Sequence, residues 1–403
     1  MFENRLNEPE SRLDKLQLVG ICGLIILGAL FVFSATMVSA AATAPWYRQS
    51  WFRQIVWYVL GVGAGSGLCF IDYRTISRYS LIVYGATILL LVAVLVPGIG
   101  STHGWGARRW IDVAFFQFQP SEFAKLAFIL ALGHFLSRPA EELRSPSVFA
   151  RALGLMVLPF LLIMKEPDLG SALVLLPTGL MMLYVAGTPG RFLVRLVGAV
   201  GVVGVLFLVD VLFLPKWQVF KLENYQERRL RVFFDQEYPL PPHASKADRE
   251  RLRKLRFDDS HNVRQALISV GSGGLTGKGW RQGTQLTQGY LPRAVAHNDF
   301  IFSVIAEEKG FVGSVLVLTL YGTVLFTGIR IAGQARDRLG RLLAVGVVTL
   351  LFSQVFINIG MNIRIMPVTG VPLPLLSYGG SSVLGSLIAI GLLQNVYIYR
   401  KAY

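Results

Sequence analysis

The chain of 403 residues has little charge and little cysteine. Asp, Glu, Lys and Arg make up 16% of it, whereas about 25% is usual for a soluble domain. This shortage excludes a water-soluble enzyme, because a soluble fold of this size needs far more polar surface. Cys22 and Cys69 both lie in apolar runs. We therefore expect two packed thiols, and neither a disulfide framework nor a metal centre.

Apolar residues make up 53% of the chain and are gathered into ten long segments. About 20 apolar residues cross a bilayer as one helix, so the pattern predicts an all-α polytopic membrane protein. The predicted spans are residues 16–41, 54–71, 80–97, 122–137, 151–165, 169–187, 193–214, 299–329, 342–363 and 378–399. The eighth segment is too long for one straight span, and we expect a break at Gly310.

The basic residues predict the orientation of these spans. One set of short loops and termini carries sixteen Lys and Arg residues and the opposite set six. By the positive-inside rule the first set is cytoplasmic, with both termini and a tail of residues 1–15. The whole chain, 1–403, is predicted to be a single membrane domain with one large outer loop, 215–298.

The outer loop holds fifteen Lys and Arg residues, and long loops escape the positive-inside rule. Topology therefore does not account for the whole net charge of +15. Anionic lipid headgroups or an anionic lipid substrate would account for the rest. Nucleic acid is not expected as a partner, because the loop has little of the aromatic interleaving that single-strand binders use.

Ionisable groups at the edge of an apolar zone indicate function by default, and four groups on the predicted outer side qualify. In the first, Glu122 and Lys125 share one helix face after Arg108 and Arg109. An ion pair that fixes a helix end explains them equally well. In the second, Asp168 lies in a tight turn, either as a solvated loop residue or as the cap of the sixth span.

The third group contains Asp299, where the long loop re-enters an apolar segment. A partly desolvated carboxylate there would have a pKa raised into the range of a general base, and an N-cap of the eighth span is the alternative. The fourth group runs from Asn358 to Ser382 and includes Arg364. Its glycine-serine turn opens a helix, and backbone N–H groups in such a turn hold anions.

At these residues the chain resembles the SEDS family (shape, elongation, division and sporulation), the RodA/FtsW glycosyltransferases of bacterial cell-wall synthesis. The similar blocks are Gly106–Ile111, Gln119–Lys125, Pro167–Gly170, Gly271–Trp280 and Asn358–Ser382. Residues 279–285 and 367–374 resemble the RodA branch. One block departs from the family, because Arg293 follows the proline where the family has glutamate and Asn298 replaces a threonine.

The resemblance implies the ten-span SEDS fold and polymerisation of lipid II, with Asp299 as the essential acid. Asp299 would take the proton from the 4-hydroxyl of the acceptor sugar, whose oxygen displaces undecaprenyl diphosphate with inversion. The leaving diphosphate needs cations, either basic side chains or a divalent ion such as Mg²⁺ or Mn²⁺. No protein cluster of metal ligands is evident. The residues expected at the substrate are Arg108, Arg109, Glu122, Lys125, Asp168, Lys278, His297, Arg364, Ser377 and Ser381.

The resemblance also implies a class B penicillin-binding transpeptidase and other membrane proteins of the elongation complex as partners. The expected location is the bacterial cytoplasmic (inner) membrane, with the active site on the outer face. Two other functions stay open, a lipid II flippase and a non-catalytic scaffold of the elongation complex. A flippase should carry ionisable groups through the midplane of the bilayer, whereas here they cluster outside, with Asp210 as the main exception.

Overall fold

The computed structural model describes residues 12–37, 45–101, 108–113, 116–139, 141–213, 224–236, 245–291 and 295–400. These residues form a helical bundle with a small sheet at one end. The helices are α1 (Lys15–Thr36), α2 (Ser50–Leu68), α3 (Tyr73–Arg78), α4 (Ser80–Leu95), α5 (Pro120–Leu136), α6 (Pro146–Lys165), α7 (Leu169–Val185), α8 (Gly190–Phe213), α9 (Asn224–Phe233), α10 (Lys246–Ser272), α11 (Thr284–Thr287), α12 (Ile301–Gln334), α13 (Arg338–Asn362) and α14 (Gly380–Tyr399).

Each of the ten predicted spans coincides with one of these helices, which confirms the prediction of an all-α polytopic membrane protein. Six helices are long and apolar enough to cross a bilayer, namely α1, α6, α8, α12, α13 and α14. Helices α4 and α7 are shorter apolar helices. Helices α13 and α14 are mostly buried and form the centre of the bundle, whereas α8 is largely exposed.

The prediction of two packed thiols is wrong for Cys22, which is exposed on α1, while Cys69 is half-buried and both are free. Helix α1 is apolar on all sides, as a helix that contacts both the bundle and lipid must be. For that reason an apolar run does not reveal which of its residues face inward.

Helix α12 breaks at Gly310, as the sequence predicts. Gly310 has φ 64° and ψ −157°, a conformation that glycine adopts without steric penalty. A Cβ atom at this position would lie 2.4 Å from the backbone nitrogen of Gly277. The glycine-rich segment 271–279 therefore packs against the break, and the N–H of Phe311 donates to the carbonyl of Gly274 at 2.8 Å.

A three-stranded antiparallel sheet precedes α5, with strands β1 (Gly100–Ser101), β2 (Trp110–Val113) and β3 (Phe116–Phe118) in that order. Ser381, in the first turn of α14, donates its hydroxyl to the carbonyl of Gln117 in β3 at 3.2 Å. This contact attaches the sheet to the centre of the bundle.

Helices α9, α10 and α11 lie in the predicted outer loop, 215–298. Arg231 on α9 donates to the carbonyl of Val211 at 2.5 Å and to that of Leu212 at 3.5 Å. These carbonyls are at the C-terminal end of α8, where they have no partner within the helix. Arg231 also pairs with Glu227 at 2.7 Å, so a buried cation caps α8 and holds α9 against the bundle.

Candidate active site

Asp299 is placed by its own backbone. Its carbonyl accepts hydrogen bonds from the side-chain amides of Asn358 at 3.2 Å and Asn362 at 3.1 Å, both on α13. The N-cap position of α12 is Phe300, and no side chain caps this helix. The capping interpretation of Asp299 is therefore wrong, and its carboxylate is left for another role.

The Asp299 carboxylate is half-buried and faces Arg229 of α9. A Cβ atom built on Gly370 would lie 3.9 Å from Oδ2 of Asp299 and 3.7 Å from Nη1 of Arg229. Burial raises the pKa of Asp299, the positive charges of Arg229 and Arg109 oppose that rise, and the charge of Asp168 adds to it. The net pKa is above the ordinary value, which makes the carboxylate a stronger base than an exposed aspartate.

Asp168 caps α7, as one of its two interpretations predicts. Its Oδ1 accepts from the N–H of Ser171 at 3.1 Å, and its Oδ2 accepts from the amide of Gln119 at 3.1 Å. Burial alone would raise the pKa of Asp168, but the Arg109 guanidinium, the Ser171 hydrogen bonds and the Lys125 ammonium together lower it. Asp168 is therefore a stable anion that fixes the surrounding donors.

Arg109 connects the sheet to the turn between α6 and α7. Its guanidinium donates to the carbonyl of Glu166 at 3.4 Å and to that of Pro167. Glu166 itself is fully buried, and neither carboxyl oxygen has a hydrogen-bond partner among the described residues. Burial, reinforced by the negative charge of Asp168 and opposed by Arg109, raises the pKa of Glu166 to about 9. Glu166 is therefore a neutral acid at neutral pH.

Glu122 and Lys125 form the ion pair that their spacing predicts. The Lys125 ammonium lies 2.7 Å from Oε1 of Glu122. The Lys125 side chain is 1% exposed and the Glu122 side chain 3%. Helix α5 begins at Pro120, the residue type favoured at the first helical position. The pair is thus held in the first turns of a central helix, next to Asp168.

A cleft opens between these elements. Its walls are Arg109, Pro167, Leu169, Gln226, Arg229, Leu230, Pro367, Val368 and Thr369. The two guanidiniums next to a carboxylate of raised pKa form a site that holds an anion and accepts a proton. The sequence prediction missed Arg229; the only signal was that Gln226, Arg229 and Leu230 share one face of α9.

Three predicted substrate residues make hydrogen bonds that join separate parts of the chain. Ser377 donates to the carbonyl of Asn298 at 2.5 Å, and Ser381 accepts from the N–H of Gln119 at 3.0 Å. The carbonyl of His297 accepts from the N–H of Tyr378 at 2.9 Å. These contacts join the end of the long loop to the residues before α14 and α5, so they set the position of Asp299.

The remaining predicted residues lie away from the cleft. Lys278 pairs with the buried Glu307 at 2.6 Å, and Glu307 also accepts from Thr284 at 3.1 Å. Arg108 is exposed, and Arg364 lines a second cavity. Gly106, Ala107 and Arg293, which belong to the blocks discussed above, lie outside the described residues.

The described residues do not fit a metal ion caged by protein ligands. No three His, Cys, Asp or Glu side chains in those parts of the chain are grouped as a ligand set. Asp168 already accepts hydrogen bonds from Ser171 and Gln119. A divalent cation would have to arrive with phosphates of the substrate, which is the usual way that Mg²⁺ is held.

A family model described as a cell cycle protein, FtsW/RodA/SpoVE, matches residues 15–402. The peptidoglycan glycosyltransferase MrdB of Escherichia coli K12 is 34% identical and aligns over 94% of this chain and 93% of its own. The stage V sporulation protein E of Bacillus subtilis is 37% identical over 94% and 95%.

Two solved structures are also similar. One is a chain from a study of the structural coordination of polymerization and crosslinking by a peptidoglycan synthase complex, with TM-score 0.74, 30% identity and coverage of 97% of this chain and 99% of that one. The other is the rod shape determining protein RodA of Thermus thermophilus, with TM-score 0.64, 29% identity and coverage of 96% and 98%.

Proposed function

Because the chain belongs to the FtsW/RodA/SpoVE family, it is a multi-pass membrane peptidoglycan glycosyltransferase, and we propose that it polymerises lipid II in the cleft beside Asp299. The observation that carries the assignment is the half-buried Asp299 carboxylate, which lies beside the cleft that Arg229 and Arg109 line and close to both charges. A base next to two cations is what transfer from a lipid diphosphate needs.

In the proposed reaction, Asp299 takes the proton from the 4-hydroxyl of the acceptor sugar. The oxygen attacks the anomeric carbon of the donor, the bond from that carbon to the diphosphate oxygen breaks, and the configuration inverts. The raised pKa of Asp299 favours this proton transfer. The leaving group is undecaprenyl diphosphate.

Arg109 and Arg229 stabilise the charge that develops on the leaving diphosphate. Arg109 is fixed by two carbonyls of the α6–α7 turn, and Arg229 lies 3.4 Å from the carbonyl of Val368. Preorganised guanidiniums need little reorganisation as the charge appears. We also propose that any divalent cation is held mainly by the substrate phosphates, with one or two carboxylates.

We place the cleft on the outer face of the cytoplasmic membrane, with both termini in the cytoplasm. The distribution of basic residues in the short loops supports this orientation. The buried ionisable side chains Glu122, Asp168 and Glu307 also lie within about two turns of a helix end. That distribution favours a surface enzyme over a transporter with charges at the midplane.

The partner is a crosslinking enzyme, in line with the similar chain from a complex that coordinates polymerization and crosslinking. We assign a class B penicillin-binding transpeptidase to this role. Other membrane proteins of the elongation complex are expected to join it.

Purified full-length protein tests the function. In proteoliposomes with labelled lipid II, with and without the transpeptidase, we expect glycan polymer in the presence of the partner. Movement of lipid II across the bilayer without polymer would instead identify a flippase. If an Asp299→Ala variant still assembled with the transpeptidase and supported growth, the scaffold alternative would be correct.

A further inference from the structure

A second cavity lies at the C-terminal end of α9, separate from the active-site cleft. It has a volume of about 230 Å³. Its lining residues are Val232, Asp235, Phe257, Ser260, Val263, Arg264 and Arg364. They come from the end of α9, from α10 and from the turn that follows α13.

Arg364 occupies a backbone position that favours glycine. It has φ 60°, in the left-handed region, which costs a non-glycine residue about 1 kcal/mol. The N–H of Ile365 donates to the carbonyl of Gly360 at 2.8 Å, the bond that closes a Schellman turn at a helix end. Arginine stands at this position although glycine is usual there and the arginine backbone is strained. Its side chain is therefore a candidate for a binding role.

The two guanidiniums of the cavity, those of Arg264 and Arg364, have no hydrogen-bond or ion-pair partner among the described residues. Among the described side chains that line the same cavity, Asp235 is the one acid, so the two arginines outnumber it. Phe257 and Val263 give the cavity an apolar wall, and Phe257 is 63% exposed. Because α13 is long and apolar enough to span a bilayer and ends at Asn362, the cavity lies at the level of lipid headgroups.

We propose that this cavity is a second lipid-phosphate site, in which Arg264 and Arg364 bind the phosphate or diphosphate of a membrane lipid while Phe257 and Val263 contact its apolar part. Arginine matches phosphate geometry with paired donors, and basic pockets beside membrane helices bind anionic lipid headgroups. The lipid is either a further lipid II molecule or a bulk anionic phospholipid. Only the first of these two occupants rests on the proposed glycosyltransferase function.

Native mass spectrometry of the full-length protein tests the site, because it counts bound lipids independently of activity. We expect the wild-type chain to bind one lipid II molecule more than the double variant Arg264→Gln and Arg364→Gly. Loss of a charge-assisted hydrogen bond weakens binding by about tenfold or more for each arginine. Arg48→Gln is the matched control, since Arg48 is exposed before α2 and its guanidinium stacks on Tyr47.

The Arg364→Gly change removes the left-handed arginine and should not unfold the protein, which the thermal midpoint checks. Arg264→Lys keeps the charge and should retain most of the binding. A parallel titration with phosphatidylglycerol identifies the source of the phosphate. Loss of one bound phosphatidylglycerol, but not of lipid II, in the double variant supports the site with phospholipid as its occupant. A double variant that binds as many molecules of both lipids as the wild type overturns the proposal.

Discussion

Glu166 gives the sharpest test of the electrostatics around the cleft. Its carboxyl group is fully buried beside Asp168 and Arg109, and burial together with Asp168 raises its pKa from 4.5 to about 9. Below pH 4.5 the group is protonated in both the folded and the unfolded protein, so it does not change the free energy of unfolding. As the pH rises toward 9, the unfolded protein releases the proton while the folded protein keeps it. The free energy of unfolding therefore falls over that range.

The size of the effect follows from the distance between the two pKa values. Each pH unit above the pKa of Glu166 in the unfolded protein lowers the free energy of unfolding by about 1.4 kcal/mol. At pH 7 the buried acid therefore lowers it by about 3 kcal/mol. Replacing Glu166 with glutamine keeps the shape and removes the titration. We expect the Glu166→Gln variant to be more stable than the wild type by less than about 1 kcal/mol at pH 5 and by about 3 kcal/mol at pH 7.

Thermal or denaturant unfolding of the purified protein in detergent, measured from pH 5 to 8.5, reports this difference. Glu141→Gln is the control, because Glu141 is exposed and an exposed carboxyl group adds little to the pH dependence of stability. A stability difference between Glu166→Gln and the wild type that stays constant with pH would refute the reasoning, since it would show that Glu166 titrates as an ordinary carboxyl group.

Other predictions concern the groups around the cleft. Glu122→Gln leaves the Lys125 ammonium buried without its partner and should lower the free energy of unfolding by about 3–5 kcal/mol, whereas adding Lys125→Met should restore most of it; unfolding midpoints of the single and double variants decide. Arg229→Gln removes a charge that lowers the pKa of Asp299, so the acidic limb of the pH–rate profile for lipid II polymerisation should move to higher pH, and an unmoved limb would contradict the assignment. Glu307→Gln weakens the ion pair that holds the glycine-rich segment 271–279, and hydrogen exchange there should rise at least severalfold while the rest of the bundle is unchanged.

The helices were predictable because membrane spans follow from local composition. Ten apolar segments became ten helices, and the break at Gly310 followed from a segment too long for one span. The pairing of Glu122 with Lys125 followed from their spacing on one helix face. These features depend on residues close in sequence, which a pattern can report.

The rest of the site depends on contacts between residues far apart in the chain. Arg229 reaches Asp299 only because Arg231 fixes α9 to the end of α8. Lys278 carries a charge suited to phosphate, yet the buried Glu307 holds it. Ser377 lies in a turn suited to anions, yet its hydroxyl joins two backbone segments. For Lys278 and Ser377 the residue type indicated a binding role, and the structure adds a tertiary partner that the sequence did not reveal.

Single-turnover polymerisation by the Asp299→Asn variant tests the central claim most directly. Asparagine keeps the size of the side chain and the backbone contacts to Asn358 and Asn362, but it cannot accept the acceptor's proton. The account predicts that the variant folds, binds lipid II with affinity close to that of the wild type, and forms glycan bonds at least about a hundredfold more slowly. Polymerisation at the wild-type rate by a folded Asp299→Asn variant would contradict the role of Asp299 as the base.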